Sequence, residues 1–417
     1  MRLLSIIGVS LALIAAQGAV AQDRFIEGGP QSLNETRSLG DLIRGASAPI
    51  HISFVHGMRA EGPGTSASFR AGLLRRFGGT STPPVRRFLD LGERPREASI
   101  GATLIWPTDE AWAASRPFVD RHTLRLRSGV LVVVDEVNWW PLLFPIKCRF
   151  LVLPEHDLSG NEPEHLRLCA GQGPEREAAL YHPWLTPAEL DHALSTAPRS
   201  GGGARVNTTI KRQIFNWGLS DAVIALGPMR HYLALTMQQA FTVAVEGVVA
   251  GTAEDHVLIA ESLGSFVVLD ALSAGAVAVD AYLDRTRDIY FFANQFALLE
   301  LARITNIPAD GAGVLATAVD ARATPREGSP LDQLQSLSDA GAVPPRGQAR
   351  RLQIIALSDP SDMLTYRVPA IANATVVNIY VRNAGSILGF ANPVTAHTGH
   401  AANRAVWDVL LEPRESD

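Results

Sequence analysis

The clearest pattern along the chain is a series of short apolar runs in which Val, Ile, Leu and Phe follow one another without polar alternation. They are HISFVHG at 51–57, GVLVVVDEV at 129–137, HVLIA at 256–260, DIYFFA at 288–293, LQIIAL at 352–357 and TVVNIYV at 375–381. Continuous runs of this kind predict strands buried on both faces, as in a parallel sheet covered by helices. Between and after them, Phe266 to Leu283, Phe296 to Ile304 and Arg404 to Leu411 carry apolar residues at helical spacing. Strands separated by helices need right-handed crossovers, so the pattern predicts an α/β fold, a mostly parallel sheet with flanking helices.

The rhythm breaks between residues 142 and 249, where a polar half (155–203) and a helical half (208–249) contain no clear buried strand. This predicts a large insertion, a lid or cap over 142–249, between two pieces of one core at 49–141 and 250–412. Gly201-Gly202-Gly203 would be a flexible joint inside it. Residues 22–48 are polar and expected to be flexible, and 307–348, rich in Pro, Gly, Ala and Asp, are expected on the surface.

Composition narrows the partners. A chain of 417 residues with 47% hydrophobic content can bury a substantial core. A net charge of −5 without long single-sign runs gives no electrostatic case for nucleic acid or an anionic membrane surface. Arg2, the apolar run Leu3 to Ala16 and Ala19-Val20-Ala21 form a signal peptide pattern over 1–21, which predicts export to the periplasm or beyond. The run is short of the roughly 20 residues a span needs, so no membrane anchor is expected after cleavage. In an oxidising compartment Cys148 and Cys169 suggest one disulfide, the alternative being two separate buried thiols. No third cysteine or suitably spaced histidine accompanies them, which disfavours structural zinc.

One strand-to-helix junction carries unusual polarity. In AESLGS at 260–265 small residues, Ala260 and Gly264, stand two positions either side of Ser262, as a sharp turn with touching backbones requires. The plain reading is a turn; the chemical one is a nucleophile, Ser262, with the Leu263 amide at the helix N-terminus facing a developing oxyanion. A second oxyanion donor is expected at the amide of Met58, after His56-Gly57, with His56 itself a structural histidine bonding a loop carbonyl. Downstream, Asp359 and Asp362 follow the fifth strand, and His397 and His400 follow the sixth. Asp359 can cap the Pro360 turn, whereas Asp362 sits where the loop can fold back toward a histidine. The order Ser, Asp, His, each after the end of a strand, suits nucleophilic acyl transfer. Glu261 reads as a solvated or locally paired carboxylate. Trp139, Trp140, Trp184 and Trp217 could line an acyl pocket, with core or lid packing as the default.

Together FVHGM, the Asn138-Trp139 strand ending, AESLGS, LSDPSDMLTY and NPVTAHTG resemble the serine α/β-hydrolase superfamily, most closely its bacterial esterase- and lipase-like members. The resemblance covers about 50–140 and 250–412 and leaves the insertion uncovered. It implies an α/β-hydrolase fold and a triad of Ser262, His397 and Asp362, with His397 preferred to His400 because the family places its histidine there. It further implies oxyanion donors at Met58 and Leu263, and hydrolysis of carboxylic esters, lipid esters among them, through an acyl-enzyme without metal or organic cofactor. Ala260 replaces the family glycine, and His400 stands where an aromatic such as tyrosine is expected. A peptidase, thioesterase or acyltransferase could use the same residues. The alternative from another class is a hydrolase-fold protein that has lost turnover and serves as an envelope binding or scaffold module.

Overall fold

The six apolar runs become six adjacent parallel strands. The computed structural model describes residues 24–414 except 28, 30, 35, 59–61, 153–162, 197–217, 247–254, 273–276, 296–297, 300–351, 372–373 and 388–389. The strands of its main sheet are β1 (Arg24–Ile26), β2 (Ile50–Val55), β3 (Gly79–Ser81), β4 (Val85–Phe88), β5 (Phe118–Leu126), β6 (Leu131–Asn138), β7 (Asp255–Glu261), β8 (Thr286–Phe292), β9 (Leu352–Ser358) and β10 (Ala374–Val381). They join in the order β1-β10-β9-β8-β7-β2-β6-β5-β3, with β4 also on β5. The strands from β10 to β6 are all parallel. Within this sheet the antiparallel pairings of the described residues lie toward the edges, β1 on β10 and β5 on β6, with β3 and β4 antiparallel to β5. The sheet is thus mixed but mostly parallel, as expected.

Helices cover both faces. On one side α1 (Leu39–Gly45), α2 (Ala67–Phe77) and α10 (Arg404–Leu411) pack on Ile52, Phe54, Val257, Ile259, Tyr290 and Phe292. On the other, α3 (Trp140–Lys147), α5 (Ser220–Leu226), α6 (Arg230–Glu246), α7 (Leu263–Leu272) and α8 (Val277–Leu283) pack on Val55, Leu258, Ala260, Ile289 and Phe291. Successive residues of β7 therefore point into different cores, which is why its sequence is apolar throughout.

In the stretch 22–48, expected to be flexible, the described residues include β1, a one-turn helix at Gln31–Asn34 and α1. Ser38 and Asp41 form a reciprocal capping box on α1, and Leu39, Leu42 and Ile43 are buried. The apolar set is too short to stand out from its polar surroundings. Within the insertion expected over 142–249 no described residue adds a strand to the sheet, and α6 packs against α7 and α8.

Within that span a disulfide joins Cys148 to Cys169, at the end of α4 (Pro163–Cys169), with 5.5 Å between the Cα atoms. Beside it Lys147 on α3 pairs with Asp221 on α5 at 2.9 Å, both side chains almost fully buried. The signal peptide at 1–21, the joint at 201–203, most of the helix at 296–304 and the stretch at 307–348 lie outside the described residues. Among the described residues no helix is long and apolar enough to cross a membrane.

Candidate active site

The sheet order reverses around β2, which has β6 on one side and β7 on the other. Loops leaving such a switch point at the carboxyl ends of the strands diverge and open a crevice. Val55 is in register with Ala260, and Glu261 with Phe292, so the ends of β2, β7 and β8 meet at one edge. The turn after β7 presents Ser262 there.

Ser262 has φ of 52°, a left-handed conformation that costs a non-glycine residue energy and so must be held by its surroundings. Its amide donates to the Phe292 carbonyl at 2.7 Å, and its own carbonyl accepts the Ser265 hydroxyl at 2.6 Å and amide at 3.0 Å. Neighbouring backbones crowd the turn. A Cβ on Gly264 would come within 2.5 Å of the His56 carbonyl oxygen, which explains the small residue two positions past the serine.

His397 lies on the short helix α9 (Pro393–Thr398), whose N-terminus is capped by Asn392. Its Nε2 is 2.7 Å from Ser262 Oγ, and its Nδ1 is 2.7 Å from Asp362 Oδ2. An ionised carboxylate only accepts, so Nδ1 carries the proton and Nε2 turns its lone pair to the serine hydroxyl. Asp362 also accepts from the Leu364 amide at 2.9 Å and from the Thr365 hydroxyl. Burial pushes the Asp362 carboxyl upward, but the hydrogen bonds from His397, Thr365 and Leu364 outweigh it and hold the group below its ordinary value. Asp362 is therefore the ionised partner that this tautomer requires.

Of the two acids and two histidines open in the sequence, the structure brings Asp362 and His397 to Ser262. Asp359 instead accepts the amides of Ser361, Asn383 and Ala384. His400 is buried, stacked with Phe292 and 3.1 Å from Asn383 Nδ2 through its Nδ1. Burial, with the nearby His397, lowers its pKa to about 4, which keeps it neutral.

The loop after β2 is shaped by its own contacts. His56 places Nδ1 2.7 Å from the Gly57 carbonyl oxygen, the structural bond expected of it, and stacks on Trp139, whose Nε1 donates to the His56 carbonyl at 3.1 Å. Met58 packs partly buried against the core, and Leu263 opens α7 fully buried. Trp139, Trp140 and Trp184 are core residues; Trp217 lies outside the described residues.

Several groups around the site escaped the sequence reading. Glu136 accepts the amides of Gly64 and Ser66 at 2.6 and 2.9 Å and so ties the segment before α2 to β6. Its signal was visible, a carboxylate inside the apolar run VVVDEV. Thr365 and Asn383 gave none. The side chain of Glu261, beside the serine and half-buried, makes no hydrogen bond or ion pair among the described residues, and desolvation raises its pKa to about 7. No group of three or more His, Cys, Asp or Glu among the described residues is placed to hold a metal ion.

Comparison with family models, curated proteins and solved structures finds no match.

Proposed function

We propose that the protein is an exported serine hydrolase of α/β-hydrolase type that cleaves carboxylic esters through an acyl-enzyme. The observation that carries this is the continuous contact from Asp362 through His397 to Ser262 on a strained turn, 2.7 Å at each step. An Asp-oriented imidazole facing a serine hydroxyl is the arrangement that makes the hydroxyl a nucleophile at neutral pH.

In the proposed reaction Ser262 Oγ attacks the ester carbonyl carbon while His397 Nε2 takes the hydroxyl proton. The imidazolium is stabilised by Asp362. The oxyanion of the tetrahedral intermediate accepts from the amides of Met58 and Leu263, the latter aided by its place at the start of α7. Collapse breaks the bond to the alcohol oxygen, which leaves with the proton from His397. Water then attacks the acyl-enzyme, gives its proton to His397, and the acid departs as Ser262 Oγ recovers that proton. This chemistry calls for no metal or organic cofactor. Export agrees with the Cys148–Cys169 disulfide, a bond typical of oxidising compartments.

Treatment with a fluorophosphonate probe tests the reading. Labelling of the wild type and not of Ser262→Ala is the expected result. Equal labelling, or none in a folded sample, overturns it, and the second outcome favours a non-catalytic binding module. Nitrophenyl esters of short and long acyl chain then test for a lipid-like substrate.

A further inference from the structure

His397 sits on a helix of only six residues, from Pro393 to Thr398. Such a short helix is not rigid by itself, because one turn of hydrogen bonds barely offsets the cost of ordering it. Yet both ring nitrogens must hold partners at 2.7 Å. Something outside the helix has to fix its position.

We propose that Asp359, Asn383 and His400 form a brace that sets the position of His397, so that the acid and the histidine left out of the Ser262 contact act as positioning residues. The inference rests on the acyl-transfer role proposed for Ser262 and His397. Asp359 Oδ2 accepts the backbone amides of Asn383 at 2.5 Å and Ala384 at 3.1 Å, while Oδ1 accepts the Ser361 amide at 2.7 Å. This joins the loop that bears Asp362 to the turn after β10. From that turn the Asn383 side chain reaches α9: Nδ2 donates to the Ala396 carbonyl at 2.8 Å, one residue before His397. The same nitrogen is 3.1 Å from His400 Nδ1.

The orientation of each group follows from its neighbours. Asn403 Oδ1 accepts the Ala405 amide, so Asn403 Nδ2 donates to the Arg382 carbonyl and to Asn383 Oδ1 at 2.9 Å. Asn383 Oδ1 is then the acceptor and its Nδ2 the donor. His400 Nδ1 lies 3.1 Å from Asn383 Nδ2 and 3.2 Å from the His397 carbonyl oxygen, so the ring also meets the backbone of His397 itself. Gly399 lets the parts meet, since a Cβ there would lie 2.6 Å from the Thr395 carbonyl oxygen and 2.8 Å from the Asn383 Cβ. Asp359 and His400 are each about 2% exposed, so solvent does not compete strongly for these bonds. The brace therefore ties α9 to the strand ends through side chains that touch neither Ser262 nor the His397 ring.

The test compares Asn383→Ala and His400→Phe with the wild type, by ester turnover and by the low-field proton resonance of His397 Nδ1–H, assigned through its loss in His397→Ala. A displacement near 1 Å costs on the order of 10²-fold in catalysis. Asn383→Ala is accordingly expected to lose about 10²-fold in kcat with KM changed less than about threefold, and to broaden the resonance. His400→Phe keeps an aromatic ring for the stack on Phe292 but removes the Nδ1 contacts to Asn383 and to the His397 carbonyl, with an expected loss of about tenfold in kcat. Folded Asn383→Ala with wild-type kcat and a sharp resonance overturns the brace; if that variant does not fold, the same criterion applies to His400→Phe. A wild type that is inert to fluorophosphonate overturns the ester-hydrolase reading alone. The resonance then decides the brace by itself.

Discussion

Gly57 and Ser262 are in contact across two strands: a Cβ on Gly57 would lie 2.5 Å from the Ser262 Cβ and 3.2 Å from its Oγ. The contact follows from the register of β2 and β7, which brings the residue after Val55 and His56 against the turn after Glu261. Only a residue without a side chain lets the loop that carries Met58 approach the serine. Gly57→Ala must push one of the two backbones aside. We expect about 1–3 kcal/mol lower stability from overpacking and about 10²-fold slower fluorophosphonate labelling from the displaced serine. Thermal unfolding and labelling rates measure the two effects separately. A folded Gly57→Ala protein that labels at the wild-type rate refutes the crowding argument.

The second expectation concerns the choice between paired candidates. In the proposed reaction His397 takes the serine proton, so His397→Ala should lower turnover by at least about 10³-fold, the scale of triad losses. His400→Ala removes contacts of the proposed brace, to Asn383 and to the His397 carbonyl, and should cost about tenfold. Similarly, Asp362→Asn should be far more damaging to kcat than Asp359→Asn, which weakens a loop contact. Steady-state kinetics on one short-chain ester ranks all four. If His400→Ala or Asp359→Asn proves the more severe of its pair, the arrangement around Ser262 has been misread.

How much of this was legible in the sequence depends on what each element asks of its residues. The six central strands are buried on both faces, so their apolar runs are continuous and stand out. β5 does not, because FVDRHTLRL alternates and carries Arg121, which pairs with Asp135, within a strand otherwise half apolar. β3 and β4 are short and mostly exposed, and β1 has three residues, too few for any pattern. At the site, Ser262 was marked by the small residues its turn requires, whereas the choice of Asp362 over Asp359 depends on how a loop folds back. The roles of Thr365 and Asn383 depend wholly on partners distant in sequence or hidden in the loop geometry, which no local pattern encodes.

Lys147 and Asp221 offer a test of how the helices beyond β6 are held. Their ion pair is buried, so removing one charge leaves the other in a poorly solvating interior. Lys147→Met is expected to destabilise by about 3–5 kcal/mol, and the double variant Lys147→Met/Asp221→Leu to recover much of that loss. Chemical denaturation of the three proteins with the disulfide intact is the measurement. A single variant as stable as the wild type would mean that the pair does not hold α3 to α5.

Glu261 makes the pH-dependent case. Burial raises its carboxyl from the ordinary 4.5 to about 7, so between those values the folded protein binds a proton that the unfolded chain does not. Its favourable contribution is complete below about 4.5, declines as pH rises through about 7 and is gone above it. At pH 8 the folded state must then hold a half-buried carboxylate beside Ser262. Glu261→Gln removes that charge while keeping the shape, so the variant should melt above the wild type at pH 8 and close to it at pH 4.5. Because both proteins carry the same other titrating groups, the difference between their melting curves isolates this one. A gap in melting temperature that stays constant from pH 4.5 to 8 would show that Glu261 is solvated, and that the carboxylate next to the serine bears no cost of burial.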